Sequence, residues 1–415
     1  RLMHQAGVPV ASLQLLLGSG SKVGSALTRD HRVSGVVFTG STETAMEIRR
    51  NMARFLPSNA PLIAETGGIN AMIIDSTALP EQAVRDVIAS AFQSAGQRCS
   101  ALRCLYVQED VADDIVNMII GAMNELTVGD PWQINTDVGP VIDEHAKAQI
   151  ADYISEARSF GRVLHSLRND DHGFFIPPTL VGVESINDLD REVFGPVLHV
   201  ATFKSEDLDE VINTINARGY GLTFGLHTRI DSRVQKVSEH IHVGNIYVNR
   251  NQIGAVVGTQ PFGGEGLSGT GPKAGGPNYL RRFLNRPAKH SEETWQYPCD
   301  LDALRKSLSQ QLDQKQIRLD EMPGPTGETN HLRSIQKGPI LCLGPGEKTT
   351  QEQVERIVEL GGIAIGINGF LKPKELITLD HISGDVWWGD DAREYLIALA
   401  HRTGPIIPLI TEDPD

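Results

Sequence analysis

Ser94-Ala95-Gly96-Gln97-Arg98-Cys99-Ser100-Ala101 places a single sulfur among small and polar neighbours. A thiolate is a good nucleophile near neutral pH, because an ordinary thiol titrates at about 8.5 and nearby positive charge lowers that value. Arg98 adjoins it in the chain. Taken alone, the stretch fits a buried structural cysteine more readily, since that is the commoner fate of a free thiol. The motifs on either side reverse that reading.

Immediately upstream, Pro80 to Ala95 has apolar residues at Ala83, Val84, Val87, Ile88, Ala91 and Phe92. That spacing predicts a helix whose end delivers Cys99. Leu102 to Val107 reads as a strand, with Cys104 facing the core. Cys99 and Cys104 are five apart, which is no metal spacing, and no metal site is expected. Further upstream, Ala60 to Ala64 is an apolar strand that carries Glu65 to the turn Thr66-Gly67-Gly68-Ile69-Asn70, and Ala71 to Ile74 is another strand. A carboxylate at a strand end beside glycines can act as a base; a solvated loop Glu is the alternative.

Val33 to Phe38 reads as a strand, Thr39-Gly40-Ser41-Thr42 as a turn, and Glu43 to Met52 as a helix. Strand, glycine turn and helix present free backbone N–H groups to an anion, and the same pattern also describes an ordinary βα turn. Ala11 to Leu17 is expected to be a strand and Val23 to Thr28 a short helix. Downstream, helices are expected over Asp110 to Leu126, Asp143 to Phe160 and Asp207 to Ala217. Strands are expected over Val197 to Phe203 and Val243 to Asn249. Glu192-Val193-Phe194-Gly195-Pro196 precedes the first of these strands. Gly254 to Gly276 is dense in glycine and contains Pro261-Phe262-Gly263-Gly264. Such a tract is either backbone lying close to a ligand or a flexible linker.

The 415 residues allow two or three domains and a large core. A net charge of −14 argues against a nucleic-acid partner, which needs a basic face. No run of about 20 apolar residues predicts a membrane span. Four cysteines in so long a chain make no disulfide framework, which fits a reducing, cytoplasmic setting. The chain opens within a helix-like segment, Arg1 to Ala6, and without an initiator Met; an upstream part is expected to be missing.

Phe38-Thr39-Gly40-Ser41, Glu65-Thr66-Gly67-Gly68-Ile69-Asn70, Gly96-Gln97-Arg98-Cys99, Glu192-Val193-Phe194-Gly195-Pro196 and Pro261-Phe262-Gly263-Gly264 occur in that order. The sequence from residue 1 to about 290 resembles the aldehyde dehydrogenase superfamily, and most of all its pyrroline-5-carboxylate (glutamate semialdehyde) dehydrogenases. Glu-Thr-Gly-Gly in place of Glu-Leu-Gly-Gly, Cys99-Ser100-Ala101 and Gly269-Thr270-Gly271-Pro272-Lys273 carry the narrower likeness. The resemblance implies an α/β protein. It would combine a partial Rossmann-like NAD domain (1–68), a catalytic thiol domain (69–264) and a return segment with an oligomerisation strand (265–299).

By the same resemblance, Cys99 attacks the aldehyde carbon, hydride passes to NAD, and Glu65 activates the water that releases the acid. Thr39, Gly40, Ser41 and Thr42 match the pyrophosphate-holding helix start. Glu192 matches the nicotinamide-ribose contact, and Phe194 packs near that ring. The Cys99 backbone N–H is expected to hold the oxyanion. Ser100, Gly254 and Ala255 match the positions that anchor the semialdehyde's carboxylate, and Phe262 walls its stem. The superfamily's oxyanion-hole Asn and ribose-binding Lys fall upstream of Phe38, so the chain alone is expected to turn over weakly or not at all.

Beyond residue 300, a polar stretch (300–338) reads as a linker or loose helix. Residues 339–415 then hold strand Pro339 to Leu343, a helix opened by a capping box at Thr349, and strand Ile363 to Ile367. Gly344-Pro345-Gly346 lacks the third glycine of a nucleotide loop, and Trp387-Trp388 reads as core or interface. This tail resembles the non-catalytic aldehyde-dehydrogenase-like domain of the longer proline utilisation A proteins. That likeness implies an upstream flavin domain with FAD in the same polypeptide. It also implies a homo-oligomer, cytoplasmic or peripheral at the inner membrane. A dehydrogenase for another aldehyde, and a scaffold that keeps only the fold, are the rival readings.

Overall fold

The protein is described by a computed structural model covering residues 1–168, 173–284, 286–310 and 315–413. Its elements run in chain order. β1 (Val36–Gly40), α1 (Thr42–Phe55), β2 (Leu62–Thr66), β3 (Ala71–Ile74), α2 (Pro80–Phe92) and β4 (Cys104–Gln108) come first. α3 (Glu109–Asn124), α4 (Glu144–Ser159), β5 (Val163–Ser166), β6 (Thr179–Gly182), β7 (Val197–Phe203) and α5 (Leu208–Ala217) follow. Next are β8 (Tyr220–Gly221), β9 (Thr223–His227), α6 (Asp231–His240), β10 (Asn245–Val248) and β11 (Glu265–Gly266).

β3 is the spine of this first part. All four of its residues are buried, because it sits inside a sheet ordered β10-β9-β3-β4-β7-β6-β5. Every pairing in that sheet is parallel except β5 with β6. Parallel sheets are covered on both faces, so their strands read as unbroken apolar runs. Alternation then divides each strand between two cores. Met72 and Ile74 join Leu105 and Val107 beside α2, while Ala71 and Ile73 join Cys104 and Tyr106 beside α5. Cys104 is core, as its alternation predicts.

β1 and β2 form a separate parallel pair, with Thr39 opposite Glu65. The strand expected over Ala11 to Leu17 does not form. Val10–Ser12 is one 3-10 turn, and Leu15 and Leu17 are exposed. A strand needs a ladder partner, and among the described residues β1 pairs only with β2. The short helix expected over Val23 to Thr28 is a π turn at Gly20–Gly24 followed by Ser25–Leu27.

The remainder holds α7 (Leu301–Leu308), β12 (Gln316–Met322), β13 (Asn330–Ile335), β14 (Ile340–Cys342), α8 (Glu347–Glu359), β15 (Ala364–Gly366), β16 (Gly384–Val386), α9 (Ala392–Ala400) and β17 (Leu409–Ile410). A second parallel sheet runs β15-β14-β16-β17, so the expected βαβ unit is present. Trp387 and Trp388 belong to its core.

Three expectations are corrected here. The 300–338 stretch opens with the helix α7, one of the two expected alternatives, but also contains an antiparallel hairpin, β12 with β13, that was not expected. β12 alternates polar and apolar side chains and stands largely exposed, while β13 is mostly polar and half-buried, so neither reads as a core strand. Within 265–299, among the described residues, the only strand is the two-residue β11, which pairs with β8 inside the same part of the molecule. Finally, α8 begins at Glu347 without a side-chain cap of its own.

This unit docks on α1. Arg49 donates to the Ile407 carbonyl at 2.5 Å, and Arg393 donates to the Ala53 and Leu56 carbonyls at 3.2 and 3.1 Å.

Candidate active site

The loop that carries Cys99 begins where α2 stops at Phe92. Ser94, Ala95 and Gly96 then take left-handed backbone conformations, with φ of 57°, 54° and 66°. Gly96 is required: a Cβ there would lie 2.1 Å from the Gly195 carbonyl oxygen. The loop's carbonyls are clamped from the sheet. Asn70, at the head of β3, donates to the Cys99 and Ala101 carbonyls at 2.7 and 2.9 Å and accepts the Thr223 N–H at 3.2 Å. Thr223 Oγ1 and Gln252 Nε2 both donate to the Ser100 carbonyl, at 3.1 and 3.3 Å. The Ser100 and Cys99 N–H groups are thereby left to face the sulfur, and both favour its thiolate. Burial, and then the negative charges of Glu192 and Glu65, push the thiol the other way, above its usual value. Cys99 is half-buried, whereas Ser100 is fully so.

Glu65 stands on β2, packed under the glycine tract. Its Oε2 accepts the Gly264 N–H at 3.0 Å, and its Oε1 is buried without a hydrogen-bond partner. A Cβ at Gly263 or Gly269 would come within 3.1 Å of this carboxylate. The part of the tract from Gly263 to Gly269 is therefore closely packed backbone rather than linker. Burial raises the carboxyl to about 7, against the opposing pull of the Gly264 bond and Lys273. Lys273, whose Nζ donates to the Gly263 carbonyl and Asn245 Oδ1 at 3.1 and 3.2 Å, is lowered by burial to about 8.

Glu192 reaches the same place from the start of β7. Its Oε1 accepts from Arg103 Nε and Nη2 at 3.2 and 2.9 Å, and the Gly68 N–H also bonds it. The carboxylate lies so close over the Gly67-Gly68 turn that a Cβ on Gly67 would sit 1.9 Å from its Oε2. Burial raises its pKa and Arg103 opposes the rise. The Phe194 ring is 5.2 Å from the Arg103 guanidinium and 44% exposed.

Ser41 caps α1 by accepting the Thr44 N–H at 3.2 Å; Thr39, Gly40 and Ser41 are exposed, and Thr42 is half-buried. Glu43, in the first turn of α1, lies within electrostatic reach of Glu192. Gly254 takes a φ of +73°, and a Cβ there would be 3.9 Å from Arg98 Nη1. Ala255 follows it in the same loop. Phe262 is half-buried and held by a two-bond bridge to Ala274, at 3.0 and 2.7 Å. A cavity of about 250 Å3 between α1 and β17 is lined by none of these groups.

The structure thus gathers Cys99, Glu65 and Glu192 within electrostatic range, with Phe194 tied in through Arg103. It brings Gly254 to the nucleophile loop by way of Arg98, and no recorded contact joins Phe262 to Cys99. Asn70, Arg103, Thr223, Gln252 and Lys273 had no role assigned from sequence. Asn70 and Lys273, each inside a quoted motif, carried a signal; the other three did not. Among the described residues no cluster of His, Cys, Asp and Glu could hold a metal, and no helix is long and apolar enough to cross a membrane.

Known proteins share this layout. The bifunctional protein PutA of Klebsiella aerogenes is 46% identical over 400 residues, covering 87% of this chain and 30% of that protein. A crystal structure of Bradyrhizobium japonicum proline utilization A superposes with a TM-score of 0.67 at 53% identity, over 68% of this chain and 29% of the other. A 1-pyrroline-5-carboxylate dehydrogenase from Thermus, solved with bound NAD, superposes with a TM-score of 0.65 at 34% identity, over 68% of this chain and 56% of that one. The chain therefore spans about a third of the length of its bifunctional relative. Residues 1–288 match the aldehyde dehydrogenase family, and the chain belongs to it.

Proposed function

We propose that this chain carries the cysteine-dependent part of an NAD-linked dehydrogenase that oxidises L-glutamate 5-semialdehyde to glutamate, the second step of proline breakdown. The observation that supports it most is the meeting of one half-buried thiol with a carboxyl whose pKa is held near neutrality. The Thermus relative's bound NAD and the cleft's own build favour that cofactor. The exposed start of the 14-residue α1 suits a pyrophosphate, and the Glu192 carboxylate, held by Arg103 and the Gly68 N–H yet still partly exposed, can accept from a ribose hydroxyl. NAD, when bound, supplies the hydride acceptor.

The chain's own residues do the rest. Cys99 attacks the aldehyde carbon as a thiolate, and its backbone N–H steadies the oxyanion. Loss of hydride leaves a thioester on Cys99. Glu65 then takes a proton from water as that water attacks the thioester, releasing the acid and the thiolate. A carboxyl titrating at about 7 is suited to hold and give up that proton at cellular pH. Ser100, Gly254 and Ala255 are the anchors for the substrate's carboxylate, beside the Arg98 guanidinium, and Phe262 faces its aliphatic stem.

Compared by sequence, the PutA likeness reaches 87% of the chain against 70% for a single-function 1-pyrroline-5-carboxylate dehydrogenase, which supports a tail of the PutA kind. The reading therefore includes an upstream FAD-dependent proline dehydrogenase domain in the same polypeptide. It also includes self-association and a cytoplasmic or inner-membrane-peripheral location. NADH formation from glutamate semialdehyde, compared with an uncharged aldehyde of equal length, is the test. A clear preference for the semialdehyde is expected. Equal efficiency removes the substrate assignment. No turnover, with no preferential labelling of Cys99 by a thiol-reactive aldehyde analogue, leaves only a scaffold.

A further inference from the structure

Arg103 is fully buried, at 0% exposure, one residue before β4. A guanidinium has five N–H donors in a planar fork, and an unpaired one in the interior is costly. Here all five are used. Nε and Nη2 donate to Glu192 Oε1, at 3.2 and 2.9 Å, and the second Nη2 proton goes to the Arg98 carbonyl at 3.2 Å. Nη1 donates to the Gly96 carbonyl at 2.8 Å and to the Gly195 carbonyl at 3.2 Å. The fork thus joins two carbonyls of the nucleophile loop just ahead of Cys99 to both ends of the Glu192–Gly195 turn.

Its own backbone is fixed to the sheet. The Arg103 N–H donates to the Asn70 carbonyl at 3.0 Å, and its carbonyl accepts the His199 N–H at 2.9 Å. The His199 ring, buried on β7, adds a second bond to that carbonyl at 2.7 Å, while its other nitrogen meets the Tyr153 hydroxyl at 2.7 Å. The mount is therefore three parallel strands rather than a loop, the arrangement that holds a site to sub-ångström tolerance.

We propose that Arg103 is a positioning residue: it sets the Glu192 carboxylate at the bearing needed to hydrogen-bond the nicotinamide ribose, in register with Cys99. The inference rests on the function proposed above. Lysine cannot replace the fork, because a point charge with three donors cannot serve four acceptor groups in one plane.

The experiment is a double-mutant cycle read by the dissociation constant for NAD, measured on the intact protein without aldehyde. Arg103→Lys is expected to weaken NAD binding roughly tenfold, as is Glu192→Gln. The double variant is expected to bind no more than about twofold more weakly than Glu192→Gln alone, since coupled groups are non-additive. A merely structural arginine gives the product of the two single effects, which overturns the proposal, as does unchanged NAD binding in Arg103→Lys. Should Arg103→Lys not fold, Arg103→Gln in the Glu192→Gln background removes the buried charges together and gives the same comparison. NAD binding by the unaltered protein, with no effect at Arg103, sinks only this proposal. No NAD binding by the unaltered protein sinks the functional reading along with it.

Discussion

Two strand–glycine–helix junctions in this chain share a backbone plan and differ in what stands at the helix start. At the first, β1 passes through Gly40 and Ser41 into α1, and Ser41 caps only its own helix, leaving the end exposed. At the second, β14 passes through Gly344, Pro345 and Gly346 into α8, and the Glu293 carboxylate already sits there. Its Oε2 accepts from the Thr349 N–H and hydroxyl at 2.8 and 3.0 Å, and a Cβ on Gly346 would lie within 2.7 Å of it. Gln353 closes the loop by bonding both the N–H and the carbonyl of Gly344, at 2.9 and 2.8 Å. The partial positive charge of a helix start attracts an anion from wherever one is available. A glycine turn is a cofactor site only while the chain leaves that place open.

The comparison breaks most decisively at the chemistry beside the open junction. In the full-length polypeptide, Cys99→Ala should lower NADH formation by about ten-thousandfold or more. Glu65→Gln should cost about a hundredfold to a thousandfold in steady-state turnover while leaving a first-turnover burst, which rapid mixing would show. A Cβ at Gly67 collides with Glu192, so Gly67→Ala should weaken NAD binding by more than about tenfold, measured by titration. Gly346→Ala, which meets Glu293 in the same way, should leave NAD binding untouched and lower only the thermal midpoint.

The pH dependence sharpens the contrast further. Glu65 must be ionised to act, and burial puts its pKa at about 7. Turnover should therefore climb about tenfold between pH 6 and pH 8, and the raised Cys99 thiol extends that climb upward. A profile flat across that window would remove Glu65 as the base. The smallest effect belongs to the plugged junction: Glu293→Ala should cost about 1 kcal/mol of stability and nothing in turnover.

The fold was legible where a local signal sufficed. Ala71–Ile74 and Val197–Phe203 are strands with the predicted ends, and α2 begins at the predicted Pro80. Ala11 to Leu17 carries the same apolar signal and is no strand, because a strand is completed by its neighbour rather than by its composition. The β12–β13 hairpin escaped for the opposite reason: β12 is mostly exposed and β13 half-buried among polar residues, so neither needs an apolar run. Cys99, Glu65 and Glu192 were readable as motifs. Arg103 was not, because its acceptors stand at residues 96, 98, 192 and 195 and nothing in its neighbourhood along the chain hints at them. Glu293 was missed likewise; its role arises from a place reached across long loops.

The reversal of hand at Ser94 and Ala95 costs about 1–2 kcal/mol for each residue. In return it cuts the sulfur's bearing loose from the pitch of α2. A continuous helix would rotate everything beyond it by about 100° for each residue gained or lost. Here the screw thread ends before the tool it carries. Lengthening or re-phasing α2 would be absorbed at that break, and the thiol would keep the heading dictated by Asn70 and Thr223.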